Sequence, residues 1–332
     1  MDNLKKVGLT ALAGSLAAVS ANAAEMSVSG ATLLTYTSED ESEVTGNPLG
    51  MKTNLSFTAS GDVNGYTVSY MQASMDQFAG MSSARLSVDM GDMGTIAFDQ
   101  GSGSGLATID DKTPTAAEEI WDGLDGLTAG GLVGAAGSSG VINYVTTFGG
   151  LTFNGAARKG SGAKSSDGSS SGAGGSAWDF ALTGSGDMLG VDGLSWGTGY
   201  GEADAGEQTN AAGSYSSDSH WTIFANYAMG PATVGYQVSG IQAGANGTAG
   251  ENTTAWGIAF NVSDNMSVSY GEREVEYDKA SATNVTEEGE GIAVSYTMGS
   301  MKIAGNRNEV KNNAGTTASD DSMTEIALSF AF

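Results

Sequence analysis

From about Glu25 to Phe332 the chain alternates strand-like segments, apolar at every second position, with connections that are short and long in turn. The short joints are Gly61 to Gly65, Gly91 to Gly94, Phe148 to Gly150, Gly184 to Gly193, Gly230-Pro231, Ser263 to Asn265 and Gly299-Ser300. The long ones cover roughly 37 to 50, 74 to 82, 101 to 140, 160 to 176, 202 to 219, 239 to 252, 276 to 289 and 308 to 321. A sheet with tight turns at one rim and long loops at the other has a direction, and membrane-spanning barrels are built that way. A soluble sandwich has no reason to sort its connections by length. Seven turns and eight loops imply about sixteen strands, an even number in the size range that leaves a lumen open to water. The expected fold is therefore all-β: one transmembrane antiparallel β-barrel over residues 24–332, with short periplasmic turns and long external loops.

The first 23 residues read as a leader removed on export: Lys5-Lys6, an apolar run from Val7 to Val19, and the small-residue site Ala21-Asn22-Ala23. That run is too short to span a membrane, and no later stretch approaches the ~20 apolar residues a membrane helix needs. Any membrane crossing must be made by strands. With no cysteine in the sequence, an exported chain has no disulfides to rely on, so its stability must come from a closed hydrogen-bond ladder. The 51 glycines and 3 prolines fit such a ladder, because proline removes donors while glycine serves turns and close packing. A mean hydropathy of -0.12 is expected when only alternate strand residues meet lipid. The net charge of -25, which loss of Asp2, Lys5 and Lys6 with the leader takes to -26, disfavours nucleic acid and acidic lipid surfaces as partners.

Strand phases sharpen the pattern. In the last segment Thr324, Ile326, Leu328, Phe330 and Phe332 share one face, while Glu325, Ala327, Ser329 and Ala331 take the other. Met51/Thr53/Leu55/Phe57 divide in the same way from Lys52/Asn54/Ser56/Thr58, as do Ala84/Leu86/Val88/Met90 from Arg85/Ser87/Asp89. Aromatic residues prefer the two membrane interfaces. Tyr36, Tyr200, Trp221 and Trp256 fall at the outer ends of their strands and Tyr227, Phe260, Tyr296 and Phe332 at the inner ends.

The chain resembles, over its whole length, the general porins of the alphaproteobacterial outer membrane. The residues that carry the resemblance are the Lys5-Lys6 leader, the start Glu25-Met26-Ser27-Val28-Ser29-Gly30, the hairpin Ser60-Gly61-Asp62-Val63-Asn64-Gly65-Tyr66, and the aromatic terminus Ala327-Leu328-Ser329-Phe330-Ala331-Phe332. The resemblance implies a 16-stranded barrel that associates as a homotrimer and folds its third loop into the lumen. It also implies a terminal strand, ending in Phe332, that is read by the barrel-assembly machinery. The function it implies is passive diffusion of small hydrophilic solutes and ions across the outer membrane.

The third loop, Gly101 to Gly140, is the longest external gap and the one with a helix-like middle. Thr113-Pro114 and the pair Thr115/Glu118 predict a capped helix from about 114 to 124. Ala117, Ile120, Trp121 and Leu124 would form its apolar stripe, with Trp121 pinning the loop to the wall. Glu118, Asp122 and Asp125 would share the opposite face, with Asp110, Asp111 and Glu119 nearby. An apolar stripe needs a surface to cover it, which favours a loop turned inward over a solvated acidic one. Lys52, Arg85, Arg158 and Lys302 occupy the water-facing phase of separate strands, where stability keeps them, since a base facing mid-membrane lipid costs about 2 to 4 kcal/mol. Bases set against an acidic loop would produce a transverse field, and the net acidity a mild, salt-sensitive preference for cations.

Other chemistry is thinner. No cofactor is expected; calcium, which takes oxygen ligands, has Asp110, Asp111 and Glu118 as its candidates, while one histidine and no cysteine argue against zinc or redox metals. Two Gly-x-Ser-x-Gly stretches, at 168–172 and 193–197, lack the strand-turn-helix setting of a nucleophile. His220, at the start of a strand beside Trp221, reads as a hydrogen-bonding rim residue. Two alternatives to a pore remain: a non-conducting barrel serving as adhesin or anchor, and, more remotely, an outer-membrane lipase.

Overall fold

Period-two alternation becomes sixteen antiparallel strands among the described residues of the computed structural model, which are 25–40, 45–74, 82–124, 132–160, 175–204, 217–243, 250–278 and 285–332. Residues 1–23, expected to be a leader, and Asp125 lie outside them. The first eight strands are β1 (Glu25–Asp40), β2 (Leu49–Val63), β3 (Tyr66–Ser74), β4 (Ser83–Asp89), β5 (Thr95–Gln100), β6 (Ser139–Phe148), β7 (Leu151–Lys159) and β8 (Ser176–Ser185). The rest are β9 (Leu194–Asp204), β10 (Ser217–Met229), β11 (Ala232–Gln242), β12 (Gly250–Ser263), β13 (Met266–Asp278), β14 (Glu287–Met298), β15 (Met301–Lys311) and β16 (Asp321–Ala331). Each strand pairs with its chain neighbours and β16 returns to β1, so the barrel is closed. The seam runs from Ala31 opposite Ala331 to Asp40 opposite Ser322. Phe332 completes it, exchanging two backbone hydrogen bonds of 2.9 Å with Gly30.

All seven predicted tight turns join consecutive strands at one rim. The β2–β3 hairpin turns on Asn64-Gly65 at φ 56 and 85, the left-handed pair that matches the twist of the flanking strands. Several strands run farther into the predicted loops than hydropathy suggests. β13, for instance, stays paired from Met266 through Asp278, carrying Glu272, Glu274 and Glu276. Hydropathy marks where lipid ends, whereas the backbone goes on requiring partners above that level, and the ladder continues to supply them.

The barrel is inside-out relative to a soluble domain. Ile223, Ile292 and Ile326, in mid-strand, are 54%, 57% and 56% exposed on the outer face, while inward-facing Asp99, Asn143 and Glu287 are at most 1% exposed. An apolar belt of this extent on the outside marks a surface meant for lipid. The predicted aromatics lie on that face; Trp221 pairs with Tyr200 at the outer level and Phe332 ends the inner one. Among the described residues no helix is long and apolar enough to cross a membrane.

Candidate functional site

The described parts of the third loop, residues 101–124 and 132–138 between β5 and β6, lie inside the barrel, and the wall residues that hold them come from the inward phase. The loop's two ends meet on one carboxylate. Asp179 on β8 accepts the Leu106 amide at 3.0 Å and the Ala136 amide at 2.7 Å, while Asn154 on β7 accepts that of Gly105 at 2.9 Å. Leu106, Ile109 and Val133 bury their side chains with Ala181 and Phe224 of the wall. Farther on, the Gln237 amide on β11 donates to the carbonyls of Ile109 and Asp110 at 2.9 and 3.0 Å, and its oxygen accepts the Lys112 amide at 2.6 Å. Asn226 on β10 donates to the Lys112 carbonyl at 2.7 Å, and the Ser269 hydroxyl on β13 accepts the Ala116 amide at 2.8 Å. Asn308 on β15 donates to the carbonyls of Glu119 and Asp122 at 3.0 and 2.8 Å.

Beneath this path the wall has lost its side chains. Gly235 on β11 stands opposite Gly257 on β12, Gly257 opposite Gly271 on β13, and Gly271 opposite Gly291 on β14. The row continues from Asn226 at one end to Asn308 and Met323 at the other. The segment from Pro114 to Ile120 lies on it. A Cβ at Gly257 would stand 2.9 Å from the Pro114 carbonyl oxygen, one at Gly291 2.9 Å from the Ile120 Cβ, and one at Gly271 3.2 Å from the Ile120 Cγ2. At Gly235 it would run into the Pro114 ring. Close backbone approach is what glycine permits in a strand. Sequence reasoning missed this row; inward-phase glycines at one level of consecutive strands were the signal that could have found it.

The predicted helix over 114–124 does not form; the segment is a chain of bends and turns. The wall takes the backbone groups a helix would have used internally. The capping box is replaced too: the Thr115 hydroxyl donates to the Glu118 carbonyl at 2.7 Å and accepts the Ala117 amide at 3.3 Å, a local pattern that competes with helix. The apolar stripe nonetheless reaches the wall. Ile120 rests on Gly271 and Gly291, and Leu124 is buried with Val310 and Met323. Trp121 packs under Arg273, whose guanidinium carbon is 4.6 Å from the ring centroid, within cation–π range. Arg273 is itself fixed by Glu287 at 2.9 Å, which also accepts the Tyr277 hydroxyl at 2.9 Å.

Of the expected acids, Asp110, Asp111, Glu118, Glu119 and Asp122 lie close enough along the loop to influence one another. Burial, followed by the charge and hydrogen bond of neighbouring Asp111, pushes Asp110 up to about 7, with Lys112 opposing. Burial likewise raises Glu119, with Asp111, Glu118 and Asp122 adding to it, and Asp122, which Lys52 opposes. Among the described residues no three acidic or histidine side chains converge so as to hold a metal ion, so Asp110, Asp111 and Glu118 do not assemble into a calcium site.

The four bases all face inward, but they do not form one basic wall. Arg85 on β4 lies 3.7 Å from buried Asp99 and donates to Asn143 at 2.5 Å. Arg158 on β7 donates to the Gly160 carbonyl at 2.9 Å beside the root of the loop. Lys302 sits next to the inner turn at Gly299-Ser300. Lys52 on β2 is the one of the four whose charge opposes the upward shift of Asp122. His220 faces inward, and its Nδ1 accepts the Gly134 amide at 3.3 Å. A further acid, Glu325 on β16, also feels Asp122, Glu118 and Lys52; its inward phase was legible in the sequence, its neighbours were not.

No protein-family model and no curated protein sequence matches the chain. Among solved structures it is similar to OmpT, an outer membrane protein of Vibrio cholerae in its trimer form, with TM-score 0.67 and 12% identity over 93% of this chain and 100% of that one. An anion-selective porin from Comamonas acidovorans matches with TM-score 0.65 and 14% identity, again over 93% and 100% of the two chains. A mutant of the Rh. blastica porin matches with TM-score 0.60 and 13% identity over the same shares. At such identities the likeness is one of fold.

Proposed function

We propose that this chain is a general diffusion porin of a bacterial outer membrane, a water-filled channel for small hydrophilic solutes and ions with a mild preference for cations. The observation that carries the reading is the distribution of polarity: an apolar belt outside, polar and charged side chains inside, and a third loop laid along one side of the lumen. A barrel meant only as an anchor gains nothing from an inward loop that carries a run of carboxylates. The acids Asp110, Asp111, Glu118, Glu119 and Asp122, with Asp125 beyond the described residues, set the sign of selectivity, as rings of carboxylates do in other pores. The fold does not decide that sign, since a similar barrel is an anion-selective porin. On this reading residues 1 to 23 direct export, Phe332 at the seam serves barrel assembly, and three copies associate. No catalytic role is proposed: His220 is engaged with a loop amide.

The test is single-channel recording of the purified protein in planar bilayers. Stepwise conductance is expected, closing in three steps for a trimer, with a reversal potential in a potassium chloride gradient that favours potassium and weakens as salt rises. Absence of steps would establish the anchor or adhesin alternative, and an anion preference would overturn the assignment of the acids to the conduction path.

A further inference from the structure

Glu325 lies on the inward face of β16, two positions along from Met323, against which the loop residues Gly123 and Leu124 pack: Gly123 abuts the Met323 thioether and Leu124 is buried against Met323 and Val310. Asn308, the ladder partner of Met323, holds the Glu119 and Asp122 carbonyls. The acidic stretch from Glu118 to Asp122 is thereby tied to the strands that flank Glu325. The Thr37 hydroxyl on β1 donates to the Glu325 carboxylate at 3.2 Å, holding it against the seam, and the charges of Asp122, Glu118 and Lys52 all reach it. Of the four inward bases, Arg85, Arg158 and Lys302 are committed elsewhere or stand at the inner turn. Among the described residues the wall beside Leu124 presents Lys52, Glu325 and, directly opposite Met323, Glu39, not a basic wall.

We propose that Glu325 is a further selectivity-determining residue, a carboxylate supplied by the barrel wall that continues the acid of Glu118 and Asp122 around the passage and favours small cations, ammonium-bearing solutes included. Lys52 is its counterweight. The proposal rests on the reading of the chain as a pore. Across about one screening length of water a unit charge changes an ion's energy by a fraction of a kcal/mol, which opposite effects on cation and anion turn into about a twofold change in their permeability ratio.

The experiment compares reversal potentials of the native protein with those of Glu325→Gln, Lys52→Gln and, as a control on the outer face, Glu290→Gln. Expected is an unchanged step conductance at high salt in all four. The cation-to-anion ratio should fall about twofold in Glu325→Gln, rise in Lys52→Gln and stay at the native value in Glu290→Gln. Glu325→Gln channels with the native ratio would overturn the proposal while leaving the pore reading intact. So would an equal fall in Glu290→Gln, which would assign the effect to overall surface charge. Native protein without steps would overturn the pore reading itself, and the proposal with it.

Discussion

The two sides of the lumen are built by opposite rules. On β11 to β14 the inward residues at the level of the loop are Gly235, Gly257, Gly271 and Gly291, in direct register. On β1 to β3 the inward positions include Thr35, Thr37, Lys52, Asn54, Ser56 and Ser69 beside the apolar Leu33 and Met71, and Lys52 and Asn54 are exposed to the lumen. A wall that faces water wants polar side chains; a wall that must receive a peptide segment wants none. Glycine inside a strand costs roughly 0.5 to 1 kcal/mol relative to alanine, so four of them cost roughly 2 to 4 kcal/mol. Ile120, Pro114 and the hydrogen bonds of Gln237, Ser269 and Asn308 offset that by filling the space and satisfying the loop backbone. The glycine row and the loop are therefore one device, and neither makes physical sense alone.

The strongest way to break the contrast is to give the covered wall the bulk it lacks. Gly257→Leu combined with Gly271→Leu leaves no room between strand and loop, so the Pro114 to Ile120 segment moves toward the axis. Single-channel conductance should fall by about half or more, since overpacked sites resolve by displacement. A leucine at Ser56 on the opposite side should lower conductance by much less, because among the described residues no loop segment is packed on it to be displaced. Equal losses at the two walls would remove the distinction. The next largest effect concerns the latch at the end of the track. Arg273→Ala leaves Glu287, 1% exposed, as a buried charge without its guanidinium, and removes the cation over Trp121. Breaking such a pair costs about 3 to 5 kcal/mol. Denaturant unfolding in detergent should shift to lower midpoint, and open-channel current should become noisier as the loop gains freedom. Replacing both Arg273 and Glu287 by leucine should restore most of the midpoint but not the quiet current, which separates the fold's need for neutrality from the loop's need for the latch.

The barrel was legible because its signal is repeated sixteen times and each repetition needs only period two and a turn. Asn64-Gly65 and the phase of Ile326 against Glu325 can be read without knowing what lies across the lumen. The loop was legible only in composition. That Trp121 and Ile120 must find a wall followed from their apolarity, but the route they take depends on Gln237, Ser269 and Asn308, more than a hundred residues away in sequence. The same long-range partners explain the failed helix: Thr115 and Glu118 have the right spacing for a cap, yet the wall offers their neighbours' backbone a better set of bonds. Arg85 shows the limit of phase analysis. Its side chain faces inward as its phase requires, yet Asp99, on the adjacent strand, lies 3.7 Å from it and offsets its charge.

The smallest expected effect titrates the covered side alone. Burial, reinforced by Asp111, holds Asp110 up to about 7 rather than at 3.8. The docked loop therefore binds a proton that the unfolded chain has already released in that interval, so docking is favoured on the acid side and loses that stability as pH rises through about 7. Selectivity runs the other way, because the Asp110 charge appears only above that pH. Reversal potentials in a fixed salt gradient should show cation preference growing between pH 5 and 8.5, by less than about twofold, since one partly screened charge is involved. Asp110→Asn should abolish that step and leave the rest of the curve in place. Glu119 and Asp122, also raised by burial, broaden the acid limb. A single step near pH 4 in the native protein would mean that the carboxylates of the covered side are as well solvated as those of an open loop, and that loop and wall are not sealed against water along the glycine row.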